Sequence, residues 1–123
     1  MAFINDRVFD TGLTVLDTEV NRLDICSQEP VSYAEATSTY TLGNKTSPTV
    51  GAPADRTPSG RKVTVSAITD GTVTGTGTAS HWALTDTVNT RLLATGSLSA
   101  SQGVTADNVF TLGAFDIGIP DAA

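Results

Sequence analysis

The sequence predicts an all-β protein: an antiparallel β-sandwich or small barrel with an extended N-terminal arm and at most one short helix. The 123 residues include 21 Thr and 11 Gly but only two Lys and three Glu. Thr suits a pleated sheet, whereas Lys and Glu favour helices. Short strand-like segments also recur about every 8–12 residues, which is typical of sandwiches and barrels. Residues 1–28 would supply the arm, and residues 29–123 the β-domain of a single domain overall.

The leading arm carries a disproportionate share of the apolar side chains. We expect extended segments at residues 8–16 and 21–27, although the spacing of Leu16, Val20 and Leu23 is also that of a helix face. A chain end this apolar either adds strands to its own sheet or lies along a neighbouring molecule. It has neither the basic cluster nor the long apolar run of a signal peptide, so none is expected.

The middle of the chain contains one helix-start signal and one long loop. Ser32 and Glu35 have the spacing of a capping box and predict a short helical turn near residues 33–38. Residues 43–61 hold three of the five prolines, and we expect a long loop there. Such a loop is uncommon in a compact domain unless it has a function. We interpret it either as a partner-binding segment or as a surface insertion.

The second half of the chain alternates as a sheet does. Residues 62–67 show the period of two that marks a half-buried strand, and residues 79–86 are expected to pair with residues 91–95. Over residues 109–119 the alternation shifts at Gly113, as it does at a β-bulge. The predicted core consists of Trp82, Leu84, Leu92, Phe110, Leu112, Phe115 and Ile117.

Composition and charge exclude several kinds of partner. The net charge of −6 has the wrong sign for neutralising phosphates, so no nucleic acid is expected. No apolar run is long enough to span a bilayer, so no membrane partner is expected. One Cys and one His do not supply the ligands of a usual zinc site, and we expect no metal and no cofactor.

Three features are candidates for chemistry. Asp10-Thr11-Gly12 matches the motif of retropepsin-like aspartic proteases, in which two carboxylates from two chains share a proton. The match lies close to the chain start, and a three-residue motif needs its structural context, so the protease stands as an alternative only. His81 has no nucleophile at a suitable spacing, and we interpret it as a strand residue on the polar face. Cys26 ends an apolar strand and is interpreted as a buried structural thiol.

Several segments carry a resemblance to known proteins. They are Asn5-Asp6-Arg7-Val8, Gly12-Leu13, Leu16-Asp17-Thr18-Glu19, Leu23-Asp24-Ile25-Cys26 through Glu29-Pro30, Tyr33-Ala34-Glu35-Ala36, Leu42-Gly43-Asn44-Lys45, and His81-Trp82-Ala83-Leu84 through Phe115-Asp116-Ile117. In these segments, which cover most of the chain, the sequence resembles small virion proteins of tailed bacteriophages. The resemblance implies a capsid decoration, or cement, protein that binds the outside of an assembled head and joins neighbouring major capsid subunits.

The expected function follows from this resemblance: a non-enzymatic, oligomeric structural protein on the outer capsid surface of the virion, assembled in the bacterial host cytoplasm. The expected partners are the major capsid protein or other virion proteins, and further copies of the chain. A tail or head-completion protein is the alternative. A carbohydrate-binding module is a third reading, although one Trp and two Tyr offer little stacking surface. The residues expected to contact partners are Phe3, Ile4 and Phe9 in the arm and Pro48, Pro53 and Pro58 in the loop.

Overall fold

The computed structural model describes residues 5–120, and two of the expected contact residues, Phe3 and Ile4, lie outside this range. The described chain contains one α-helix and nine strands. The elements are α1 (Asp6–Glu19), β1 (Arg22–Cys26), β2 (Thr41–Thr46), β3 (Ala54–Asp55), β4 (Arg61–Val65), β5 (Ile68–Val73), β6 (Gly77–Asp86), β7 (Arg91–Val104), β8 (Val109–Leu112) and β9 (Phe115–Ile119), with a π-helical turn at Glu35–Thr39. The predicted all-β class with one short helix is confirmed.

The strands form two antiparallel sheets. The large sheet has the strand order β7-β6-β1-β2-β5-β8 and curls into a half-barrel, and the small sheet has the order β3-β4-β9. The main hydrophobic core is built by α1 together with strands of both sheets. Its most deeply buried members are Leu13, Leu23, Ile25, Val63, Val65, Val73, Ala79 and Leu84.

The first element corrects the prediction for residues 8–16, which are helical and not extended. The helix brings one apolar face onto the core, because its buried residues recur at intervals of three or four. These residues are Phe9, Leu13, Leu16 and Val20. The side chain of Asn5 caps the helix by accepting a hydrogen bond from the backbone N–H of Arg7 (2.9 Å). The helical alternative therefore holds for Leu16 only, because Val20 is the extended residue that ends the helix and Leu23 lies in β1.

The strand predicted at residues 21–27 is confirmed and lies in the middle of the large sheet. β1 is buried on both faces. Leu23 and Ile25 belong to the main core, whereas Cys26 packs against Ala36 of the π-helical turn on the opposite face. This turn therefore covers the outer face of the sheet at its centre.

The helical turn predicted near residues 33–38 is confirmed, and its start resembles a capping box. The backbone N–H of Glu35 donates to Oγ of Ser32 (3.2 Å), and Oε1 of Glu35 accepts from the backbone N–H of Val31 (2.8 Å). Ala36, the next residue, is completely buried beneath the turn. The two reciprocal bonds fix the segment that closes over β1.

The loop predicted over residues 43–61 is only partly a loop. β2 occupies its start and pairs with β1 and β5, and the two-residue β3 forms a hairpin with β4. Gly43 permits the close approach of β5, because a Cβ there would lie 2.6 Å from the carbonyl oxygen of Thr72. The glycine that reads as a loop residue in the sequence is a point of tight strand packing.

The hairpin predicted between residues 79–86 and 91–95 is confirmed, and β7 continues well beyond it. Asp86 stabilises the connecting turn. Its Oδ1 accepts hydrogen bonds from the backbone N–H groups of Val88 (3.0 Å) and Asn89 (3.3 Å), and its Oδ2 accepts from the side-chain amide of Asn89 (2.8 Å). The amide of Asn89 is the largest of the causes that lower the pKa of Asp86.

The shift of alternation at Gly113 marks a change of sheet, and the bulge predicted there is wrong. β8 lies in the large sheet, where Phe110 is opposite Gly71, and β9 lies in the small sheet, where Ile117 is opposite Val63. The chain crosses between the two sheets at Gly113. A single strand over residues 109–119 is thus replaced by two strands in different sheets.

Most of the predicted core is confirmed. Trp82, Leu84 and Phe110 are buried, and Leu112, Phe115 and Ile117 pack against the same cluster while partly buried. Leu92 is the exception, because it packs on the outer face with Cys26 and Ala83. A register shift between β6 and β7 causes this, since a slip of one residue reverses the face on which a side chain lies.

Candidate functional site

The structure separates the residues expected to contact partners. Phe9 is 4% exposed, and Pro48 is also buried, so neither side chain is available to a partner. Phe9 faces the core because α1 has a single apolar face to bury. Pro53 is half-buried, and Pro58 is exposed between β3 and β4. Within residues 5–120, the expected contacts do not form one surface.

Among residues 5–120, two strand edges at the ends of the large sheet are free, because β7 pairs there only with β6 and β8 only with β5. Across the outer edges of these two strands, no backbone group makes a hydrogen bond to another backbone group of residues 5–120. A row of unpaired N–H and C=O groups is a template on which another strand can pair.

β7 lacks most of the features by which proteins protect a free edge. Natural edges are shielded by Lys, Pro or inward-pointing charges, or by being very short. β7 spans 14 residues, and after Arg91 it contains no charged residue and no proline. Irregular register opposite β6 is the one protective feature present, and its largest irregularity places residues 98–101 of β7 opposite Ser80 alone. β8 is short but also uncharged.

Both edges lie in an uncharged part of an acidic chain. Between Arg91 and Asp116 the sequence has one charged side chain, Asp107. Asp107 lies in the connection between β7 and β8, where its φ is 72°. The sequence prediction ends the second hairpin strand at residue 95 and so misses this site. The absence of charge along a strand-like segment is the signal that could have found it.

Two clefts lie between β7 and β8. The first is lined by Val73, Gln102, Gly103, Val104, Thr105, Asn108, Val109, Phe110 and Thr111. The second is lined by Trp82, Ser97, Leu98, Ser99, Leu112, Gly113, Ala114 and Phe115. The ring centroids of Trp82 and Phe115 are 4.5 Å apart and give the second cleft an aromatic lining. An extended segment lying here would meet both apolar side chains and unpaired backbone groups.

Asp10 takes part in an ion pair between α1 and the small sheet. Nε and Nη2 of Arg61 donate to its two carboxylate oxygens (2.8 and 3.2 Å), and Nη1 of Arg61 donates to Asp55 (2.6 Å). These hydrogen bonds raise the pKa of Arg61, with Asp10 as the largest cause. Thr11 and Gly12 continue the helix. This arrangement does not support the protease alternative, which requires a carboxylate that shares its proton with a second one.

His81 lies on β6, as predicted, and is half-buried. Its Nδ1 is 2.8 Å from Oγ of Ser80, and its Nε2 is 3.4 Å from Oγ of Ser97 on β7. Within residues 5–120, no carboxylate forms a hydrogen bond with the ring. Its place opposite Ser97 puts it beside the free edge of β7.

Cys26 is buried, as predicted. Burial raises the pKa of the thiol to about 12, and the neighbouring carboxylate of Asp24 contributes in the same direction. A thiol that stays protonated is a poor nucleophile and a poor metal ligand. Among the described residues, no group of three or more His, Cys, Asp and Glu is placed to hold a metal ion. No helix in the same range is long and apolar enough to cross a bilayer.

Every buried side-chain N or O atom in the described part of the chain has a hydrogen-bond partner, so no buried side chain there is left to bind a ligand. No protein-family model, curated protein or solved structure matches the chain. The functional interpretation therefore depends on the edges of β7 and β8. They offer backbone donors and acceptors to an extended protein segment, which is the recognition mode known as β-strand addition.

Proposed function

We propose that the chain is a structural protein of a tailed-bacteriophage virion. In its specific form, the proposal is a decoration protein that binds the outer capsid surface and stabilises contacts between major capsid subunits. The observation that carries it is the pair of free, uncharged edges at β7 and β8, since an extended arm of a capsid subunit can add to such an edge. The sequence resemblance to phage virion proteins supplies the virion context.

The side chains along these edges also favour a protein partner. The middle of β7 carries the partly exposed Thr95 and the exposed Ser97 and Ser99, whose short side chains lose little rotamer freedom when they are covered. Long, charged side chains would lose more freedom and would also have to be desolvated. An edge of this composition is therefore well suited to a permanent contact in an assembled particle.

The overall charge favours the outside of the particle. A chain with a net charge of −6 is repelled by packaged DNA, which is itself a dense negative charge. On the outer surface this repulsion is absent. The acidic surface outside residues 92–115 then faces solvent and keeps the protein soluble, while the uncharged edge of β8 faces the capsid.

The small size of the β8 edge is compatible with firm attachment only if contacts are repeated. β8 offers four residues, Val109–Leu112, and a strand of this length makes few hydrogen bonds. When several copies on a symmetric shell are linked to one another, each later contact becomes effectively intramolecular, and the total avidity far exceeds that of one site. A decoration protein that acts in many copies meets this condition.

A single substitution in β8 tests the proposal. Thr111 is exposed on this edge strand, and a Lys there disfavours the approach of another strand. Thr72→Lys is the matched control, because Thr72 is exposed on β5, which has a partner strand on each side. We expect the unmodified protein and Thr72→Lys to co-sediment with capsids lacking the chain, and Thr111→Lys to lose most of this binding. Equal binding by Thr111→Lys would contradict the proposal.

Copy number separates the decoration protein from the tail or head-completion alternative. Quantitative mass spectrometry of purified virions gives the ratio of this chain to the major capsid protein. A decoration protein is expected at a ratio comparable to that of the capsid subunits. A completion protein is expected in a few copies at one position, and a virion without the chain would overturn both assignments.

A further inference from the structure

The free edge of β7 is complementary to itself. We propose that two copies of the chain associate through this edge, with their β7 strands antiparallel about a twofold axis at Gly96. The association joins the two large sheets into one continuous sheet. This inference goes beyond the proposed virion role, because the second copy occupies the edge of β7 whether or not a capsid is present. The edge of β8 is then the one left for the capsid.

Pairing about Gly96 matches the side chains by size and by polarity. It sets Ala94 opposite Leu98 of the second copy, so that a small residue accommodates a large one. It also sets Thr95 opposite Ser97 of the second copy, and hydroxyl residues on adjacent strands form favourable cross-strand pairs. Because the pairing is symmetric, each of these contacts occurs twice.

In the proposed register, the core-facing side chains of both copies lie on the same face of the joined sheet. Ala94 and Gly96 lie opposite Leu84 and Trp82 of β6, which are buried, so these β7 residues are on the core side. Antiparallel pairing of β7 with itself about a residue places this side of one copy beside the same side of the other. Leu98, which is partly buried in one copy, is then covered further by Ala94 of the second copy.

Gly96 lies at the proposed axis, and packing within a single copy already requires a glycine there. The indole ring of Trp82 lies directly against Gly96, and a Cβ on Gly96 would collide with the ring. The axis therefore has no side chain at all. Two strands can approach closely at such a position, which is a recognised role of glycine in a strand.

The lack of charged side chains along this edge favours it as the contact between two acidic copies. Each copy carries a net charge of −6, and like charges repel most where they face one another. Residues 92–106 carry no charge. Pairing along this segment therefore brings no charged side chains of residues 92–106 face to face.

A charge exchange at Ser97 tests the association by sedimentation velocity. We expect the unmodified chain to sediment as a dimer, at twice the monomer mass of 12.7 kDa. Ser97→Lys and Ser97→Asp each place two like charges diagonally across the axis, and we expect each variant alone to be monomeric. An equal mixture of the two variants places opposite charges there and is expected to restore the dimer.

The control is Thr72→Lys, which adds the same charge to a strand with no free edge and should leave the protein dimeric. Recovery of the dimer on mixing shows that the single variants are folded. A monomeric unmodified chain, a dimeric single variant or a mixture that stays monomeric would each overturn the inference. A monomer that binds capsids would leave the proposed function intact, whereas a dimer that does not bind them would overturn the function alone.

Discussion

The guanidinium group of Arg61 on β4 holds the carboxylate of Asp10 on α1 in a two-point contact, with Nε–Oδ1 and Nη2–Oδ2 distances of 2.8 and 3.2 Å. The two residues are 51 positions apart in the sequence. Their side chains are 16% and 34% exposed, so the pair is partly shielded from water. It anchors the helix to the small sheet at the point where the apolar face of α1 begins.

Replacing Asp10 tests this anchor. Asp10→Asn keeps the size of the side chain but removes the ion pair, so we expect a lower free energy of unfolding in urea. Asp17→Asn is the matched control in the last turn of the same helix. Because a negative charge near a helix C-terminus is unfavourable, Asp17→Asn should leave stability unchanged or raise it slightly. Equal losses in the two variants would show that Arg61 does not hold the helix.

The helical state of α1 could not be predicted from local propensity. Thr11, Gly12 and Thr18 are poor helix formers, and together they favour an extended reading. In the structure the hydroxyls of Thr11 and Thr18 donate to the carbonyl oxygens of Arg7 (2.9 Å) and Thr14 (2.8 Å), one turn earlier. The helix is stable because burial of its apolar face outweighs these propensities, and burial is a tertiary effect.

Gly12→Ala distinguishes a helix from an extended arm. A Cβ at Gly12 would have no heavy atom within 4 Å, so the substitution creates no clash. In the interior of a helix, Ala is more favourable than Gly by about 0.5–1 kcal/mol, and we expect the free energy of unfolding to rise by about this amount. Thermal denaturation measures the change. A fall in stability would contradict the helical structure of residues 6–19.

At Gly71 on the large sheet, in contrast to Gly12, a substitution by Ala is expected to lower stability. Gly71 lies on β5 opposite Phe110 of β8, and a Cβ on Gly71 would overlap the phenyl ring. Phe110 is only 3% exposed and has little room to move. Overpacking of this kind typically costs about 1–3 kcal/mol, and we expect Gly71→Ala to lower the free energy of unfolding by that amount.

The control for this substitution is Gly103→Ala on β7. A Cβ at Gly103 would meet nothing within 4 Å, so stability should change little. Urea denaturation of the two variants gives the comparison. Similar values for both would mean that the Phe110 ring moves aside without cost and that β8 is held more loosely than its burial indicates.

Local pairing was predictable, whereas the order of the strands was not. The β6–β7 hairpin follows from alternation on both sides of a short connector, as for Leu84 opposite Ala94. The neighbours of β1 lie far away in sequence, as with Ile25 opposite Trp82, and no local pattern encodes such a pairing. The free edges of β7 and β8 follow from this order. They could be recognised only after the sheet was known.

Arg22 and Asp24 form a second ion pair, which lies on the outer face of β1. Nε and Nη2 of Arg22 donate to the carboxylate of Asp24 (2.7 and 2.8 Å), and Thr41 donates to the same group (2.6 Å). Asp24 is 0% exposed. Removing one partner of a buried pair leaves an uncompensated charge, so we expect Arg22→Ala to lower the free energy of unfolding by about 3 kcal/mol.

The double variant Arg22→Ala/Asp24→Asn separates this charge effect from lost packing. It has no buried charge, so we expect it to be more stable than Arg22→Ala alone, although it carries one substitution more. Chemical denaturation of both variants provides the measurement. If the second substitution adds to the loss, Asp24 is not held by Arg22 in the manner described.

The thiol of Cys26 makes stability depend on pH in the alkaline range. Burial raises its pKa from the ordinary value of 9.0 to about 12 in the folded protein. Above pH 9 the unfolded chain loses this proton while the folded chain keeps it, so the unfolded state binds fewer protons. The free energy of unfolding therefore falls as pH rises from 9 towards 12, by up to about 1.4 kcal/mol per pH unit. Below pH 9 this contribution is fully present.

Cys26→Ala isolates the effect, because Tyr and Lys residues that titrate in the same range are present in both proteins. The variant loses some packing at every pH, but the difference in unfolding free energy between it and the unmodified protein should shrink above pH 9. Urea titrations at a series of pH values measure this difference. A difference that stays constant through pH 10 would show that the thiol ionises as readily in the folded chain as in the unfolded one, and that β1 is open to water at Cys26.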